Sequence, residues 1–161
     1  NFSDVFRLCL FTGARRSNVL TMKWQDIQFE KAEWEIPETK NGDSHLVPLL
    51  PQALEILTGR RSRVGRGAGW VFPSTMSQSG HLEGVQRVWD RLLKDAGLEN
   101  LRIHDLRRTL GSWLAITGAN NFTIGKTLGH KTQQATAVYA RLNTKAVRDS
   151  VAKATEIMLG F

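Results

Sequence analysis

The sequence has a single cysteine, Cys9, in 161 residues, so neither an internal disulfide nor a multi-cysteine metal site can form. Cys9 sits among Phe6, Leu8, Leu10 and Phe11 and reads as a small buried hydrophobe. Tyrosine is equally scarce, with Tyr139 alone. No apolar run approaches the roughly 20 residues of a membrane span. The four histidines show no zinc-ligand spacing, and no G-x-S-x-G elbow is present. Gly125-Lys126-Thr127 mimics the end of a phosphate-binding loop, but that loop needs glycine at position 120, where Asn120 stands, and a strand before it. A signal-peptide pattern is missing, and the chain opens at Asn1 inside a helical pattern. It therefore reads as a fragment of a longer protein.

What is present is a folded-domain composition, 41% hydrophobic and 23% charged, which excludes global disorder. A chain of this length holds one domain with a real core. The net charge of +7 is unevenly placed. Residues 1–100 carry 13 Lys and Arg against 12 Asp and Glu, whereas residues 101–148 carry 8 against Asp105 alone. A field concentrated in this way attracts a polyanion, most often nucleic acid, although a solvated basic face is the plainer alternative.

The apolar spacing predicts a helix over 2–11, a break at Thr12-Gly13, and a short helix over 16–23. The period then changes. Ile27, Phe29, Trp34 and Ile36 read as strand residues, and 45–49 as a third strand after the turn signal Asn41-Gly42. Pro51 opens a helix through Leu57, and residues 58–69, with four Arg and four Gly, read as a loop. An amphipathic helix over 82–96 stops at Gly97, and four helices follow over 104–117, 121–128, 132–141 and 144–158. The expected fold class is α+β, mostly α, with a small three-stranded antiparallel sheet near the N-terminal side.

Four sequence features carry chemistry. Arg15 follows a helix break in Thr12-Gly13-Ala14-Arg15, and Lys40 sits near a hairpin tip. His104 and Arg107 stand at i and i+3, on one helix face. Leu128-Gly129-His130 precedes Tyr139 by nine residues. Singly, each has an ordinary reading as a surface charge, a satisfied polar residue or a core edge. In order and spacing they resemble the tyrosine recombinases, the phage integrase family: Arg in T-G-x-R, Lys on a β-hairpin, H-x-x-R, L-G-H, then Tyr. The resemblance runs from about Phe2 to Leu142. Asn18 departs from it where many members carry Glu.

The resemblance implies a catalytic domain over residues 1–161, with the family's N-terminal DNA-clamping domains absent. It implies phosphoryl transfer from DNA to protein and back, in the service of integration and excision of a phage or other mobile element. Arg15 and Arg107 would fork onto the nonbridging phosphate oxygens, as arginine does better than lysine, with His130 as a third donor. Tyr139 would be the nucleophile. A phenol is protonated at neutral pH, so His104 would accept its proton, and Lys40 would protonate the leaving 5′ oxygen. The 3′-phosphotyrosine conserves the phosphodiester energy, so the family needs neither ATP nor a metal, and no cofactor is expected. Arg108, Lys126, Lys131 and Arg141 would contact the DNA backbone, which positions without reading sequence. Asp105 reads as a helix cap or an arginine orienter. The expected partners are double-stranded DNA attachment sites, further copies of the chain in a tetramer built through the amphipathic segment 144–161, and accessory DNA-bending or directionality factors. The expected location is the bacterial cytoplasm, at the nucleoid when on DNA, with no membrane partner.

Two other readings compete. Phe122 to Leu142 can be read as a helix-turn-helix pair without catalysis, which leaves Arg15, Lys40, His104 and Arg107 unexplained. A type IB topoisomerase-like activity shares the chemistry but predicts cleavage at any sequence.

Overall fold

The computed structural model describes residues 2–37, 44–65, 69–142 and 144–159. The chain divides into two compact units, residues 1–107 and 108–161.

The first unit opens with α1 (Phe2–Thr12), which buries Val5, Phe6, Leu8, Cys9 and Thr12 at helical spacing. The Thr12 hydroxyl ends it by donating to the Leu8 carbonyl at 2.6 Å and accepting from the Ala14 amide at 3.2 Å. Gly13 then adopts a φ of 64°, the left-handed turn that a side chain would resist. The helix α2 (Arg16–Leu20) follows and buries Val19 and Leu20.

Three strands, β1 (Ile27–Gln28), β2 (Glu33–Ile36) and β3 (His45–Pro48), form an antiparallel sheet in that order. Trp34 pairs with both Ile27 and Val47, and Ile36 with His45. This register sends Trp34, Ile36 and Val47 into the core while Glu35 faces solvent. The expected turn between β2 and β3, with Lys40, lies outside the described residues.

The helix α3 (Pro51–Val64) corrects the loop expected over 58–69. Its last turns hold because Arg60 points inward. The guanidinium donates to the Val71 carbonyl at 2.9 Å and to Asp4 at 3.0 Å, and lies 4.1 Å above the Phe72 ring. Burial of a paired arginine replaces the apolar side chain that helical periodicity looks for. The helix α4 (Gln86–Asp95) is shorter than the expected 82–96. Leu82 instead donates its amide to Phe72, and Gly84 at φ 66° breaks the path into the helix.

The helix α5 (Ile103–Ile116) runs from the end of the first unit into the second. In the second unit, α6 (Asn121–Leu128) starts where the Asn120 side chain accepts from the Thr123 amide and ends at left-handed Gly129. The Gly-Lys-Thr triplet is thus helical. The helix expected over 132–141 is α7 (Gln133–Ala137) followed by a 3-10 turn, Ala140–Leu142. Hydrogen bonds of the tighter i to i+3 type, Tyr139 amide to Thr136 carbonyl and Leu142 amide to Tyr139 carbonyl, carry the chain between them. Ala115, Ile124, Leu128 and Tyr139 form this unit's core. The final helix, α8 (Thr144–Leu159), exposes Val147, Val151, Ile157, Met158 and Leu159.

Candidate active site

In the first unit, two chemistry-bearing motifs 94 residues apart meet. The Arg107 guanidinium donates to the Gly13 carbonyl at 2.6 Å, and Arg107 is only 5% exposed. Gly13 lies two residues before Arg15, whose backbone is extended and whose side chain is exposed. The tie fastens the H-x-x-R helix to the T-G-x-R turn. His104, one turn before Arg107 on α5, is exposed. Asp105 accepts from the Arg102 amide at 2.9 Å and pairs with the Arg102 guanidinium at 3.1 Å. It caps the helix and holds an arginine, the two tasks expected of it.

In the second unit, His130 directly follows the left-handed Gly129, and its amide donates to the Gly125 carbonyl at 2.9 Å. Its Nδ1 lies 2.8 Å from the Thr136 hydroxyl. That bond sets the imidazole orientation. Tyr139 stands nearly parallel to His130, with ring centroids 6.3 Å apart and planes inclined by 11°. Tyr139 is 6% exposed, packed with Ala115, Ile124 and Leu128.

A cleft of about 380 Å³ lies beside His130, lined also by Phe122, Lys126, Lys131, Gln133 and Thr136. Two of the four expected backbone-contact residues therefore share a cleft with the imidazole. Arg108 and Arg141 are exposed elsewhere on this unit. Among the described residues no group of three or more His, Cys, Asp or Glu could hold a metal ion, and no helix is long and apolar enough to cross a membrane.

Sequence reasoning passed over Thr136 and Gly125. Thr136 is buried, and a Cβ at Gly125 would stand 3.0 Å from its hydroxyl oxygen. Glycine on α6 thus lets the hydroxyl sit where it meets His130. The available signal was weak: a threonine three residues before a tyrosine, inside a run of small residues.

By fold, the chain groups with integrase catalytic domains. It superposes on the catalytic domain of bacteriophage HP1 integrase with a TM-score of 0.70 at 22% identity, covering 92% of this chain and 79% of that one. It superposes on the Tn1549 transposon integrase, solved in complex with a circular intermediate DNA, with a TM-score of 0.77 at 18% identity, covering 94% and 58%. In sequence it is 34% identical over 128 residues to the integrase of Salmonella phage P22, covering 71% of this chain and 32% of that protein. The phage integrase family model matches residues 3–146. The chain belongs to the phage integrase family. It spans between about a quarter and about half of the length of curated relatives that it matches.

Proposed function

We propose that the chain is the catalytic domain of a longer site-specific DNA recombinase that integrates and excises a phage or other mobile element. The observation that carries this reading is the pairing of the chain's only tyrosine with His130, ring parallel to ring, beside a cleft bearing Lys126 and Lys131. The reaction requires a nucleophile and a hydrogen-bond donor at one phosphodiester, and the parallel contact of the Tyr139 and His130 rings supports these two residues in those roles. Family membership supports the same reading.

In the proposed reaction the Tyr139 hydroxyl oxygen attacks phosphorus. The phosphorus–5′ oxygen bond breaks, and a 3′-phosphotyrosyl bond forms. The phenol proton passes to His104, and Lys40 supplies a proton to the 5′ oxygen. Arg15, Arg107 and His130 stabilise the charge that builds on the nonbridging oxygens. Attack by a 5′ hydroxyl of another strand reverses the step and rejoins the DNA. The roles of Arg15, Lys40, His104 and Arg107 rest on the sequence motif. Double-stranded attachment-site DNA is the proposed substrate. Self-association through the exposed apolar residues of α8, help from DNA-bending or directionality factors, and action at the bacterial nucleoid complete the proposal.

The test uses a pool of nicked duplexes of randomised sequence, incubated with the chain, denatured and resolved by size, and the captured DNA is sequenced: enrichment of one sequence marks a site-specific recombinase, and capture without sequence preference marks the topoisomerase-like reading. A covalent protein–DNA band is expected from the natural chain and none from Tyr139→Phe, with DNA affinity within a few fold. A band that persists in Tyr139→Phe overturns the nucleophile assignment.

A further inference from the structure

Helix α5 contains a glycine, Gly111, in its interior, where alanine would make a more stable helix. Its surroundings give a reason. A Cβ placed on Gly111 would stand 2.5 Å from Cζ of Tyr139, 2.7 Å from Cε1 and 2.8 Å from the hydroxyl oxygen. Real Cβ atoms essentially never come within 3.0 Å of a heavy atom outside their own residue and its chain neighbours. The contact is tighter than at two other helical glycines: Gly59, inside α3, would meet nothing within 4 Å, and Gly125 would meet the Thr136 hydroxyl oxygen at 3.0 Å. The atoms that crowd Gly111 are the far end of the phenol, the end that carries the reactive oxygen. Sliding the ring aside is not open to the side chain at no cost, because Tyr139 is packed with Ala115, Ile124 and Leu128 and lies parallel to His130.

We propose that Gly111 is the positioning residue for the nucleophile: the side chain it lacks is the space in which the Tyr139 hydroxyl is held beside His130. The inference rests on the reading of Tyr139 as nucleophile. It adds that the position of its oxygen is set by a backbone surface on α5 rather than by a side-chain partner. Any side chain at 111 displaces the phenol by about an ångström or more, and a misplacement of that size costs on the order of 10²-fold in rate.

The single tyrosine makes the test direct. Biosynthetic incorporation of 3-fluorotyrosine places one fluorine resonance in the whole 161-residue chain, and it reports on Tyr139. In Gly111→Ala that resonance is expected to move toward the position of free 3-fluorotyrosine, in a chain that still melts cooperatively. Covalent capture on randomised nicked duplexes should fall at least tenfold, with DNA affinity within twofold. Melting temperature supplies a second measurement, valid even if Gly111→Ala alone does not fold. Gly111→Ala should lower it in the natural chain and raise it in a Tyr139→Ala background, where the phenol is gone and alanine's helix preference remains. An unmoved resonance, or the same sign of melting shift in both backgrounds, overturns the proposal. The two readings fail separately. Persistence of the covalent band in Tyr139→Phe removes the nucleophile role and leaves the resonance shift and the sign reversal standing.

Discussion

Thr136 works through position: its hydroxyl is buried, it meets His130 Nδ1 at 2.8 Å, and the small residue Gly125 makes room for it. Replacement by alanine removes one part-buried hydrogen bond, worth about 1 kcal/mol, and with it one of the contacts that orient the imidazole. Thr136→Ala is therefore expected to slow covalent capture by roughly five- to tenfold, and Thr136→Ser to restore most of it. Equal rates for all three proteins would remove Thr136 from the site. Cys9 acts at the same scale but for stability. Burial pushes its thiol up from 9.0 to about 12, with nearby Arg16 pulling weakly the other way. A raised folded-state value means the neutral thiol is favoured in the native protein. Its contribution is intact below pH 9 and declines between pH 9 and about 12, as the unfolded chain alone loses the proton. Urea unfolding across that window should show the natural chain losing stability faster than Cys9→Ala, and parallel curves would contradict the burial argument. At neutral pH the thiol should resist alkylation until the chain unfolds.

At the scale of elements, α3 is where a charged side chain behaves as core. Arg60 is 2% exposed and bound to Asp4, to the Val71 carbonyl and to the face of Phe72, so it joins α3 to α1 and to the 70–73 segment. Arg60→Ala should cost about 3 kcal/mol in urea unfolding, within the range for breaking one side of a buried pair. Arg63 also reaches Asp4, at 3.1 Å, but is itself exposed, so Arg63→Ala should cost well under 1 kcal/mol. Similar losses for the two arginines would mean that burial does not decide the difference. The stretch from α7 to the 3-10 turn shows a second rule of this scale. A continuous helix over 132–141 would extend the i to i+4 hydrogen bonding, yet the chain tightens near Tyr139, whose ring joins Ala115, Ile124 and Leu128 in the core. The tertiary packing of one aromatic ring outweighs the local preference for continuing the helix.

For the molecule as a whole, the charge distribution sets the expected mode of DNA binding. Arg108, Lys126, Lys131 and Arg141 are all exposed, and residues 101–148 hold an excess of seven positive charges. If about half meet phosphates, the slope of log K against log salt is roughly −3 to −4, at about 0.9 per phosphate. Replacing Lys126 and Lys131 together by alanine should make that slope shallower by about 1.8. An unchanged slope would take the cleft beside His130 out of the DNA interface. At this scale too, the sequence by itself determined a good deal. Helical spacing and the alternation of Trp34 and Ile36 were enough for the mostly helical fold and its three-stranded sheet, because these patterns are local and repeat at the period of the element. The order of Arg15, His104, Arg107, His130 and Tyr139 was enough for the family. Only the tertiary structure decided that Arg60 is core, that Arg107 is tied to the Gly13 carbonyl, and that Gly111, Gly125 and Thr136 frame the His130–Tyr139 pair. Such facts leave no periodic trace. Each depends on which side chain arrives from a distant turn or another helix, and a glycine's empty space acquires meaning only from the atom that fills it.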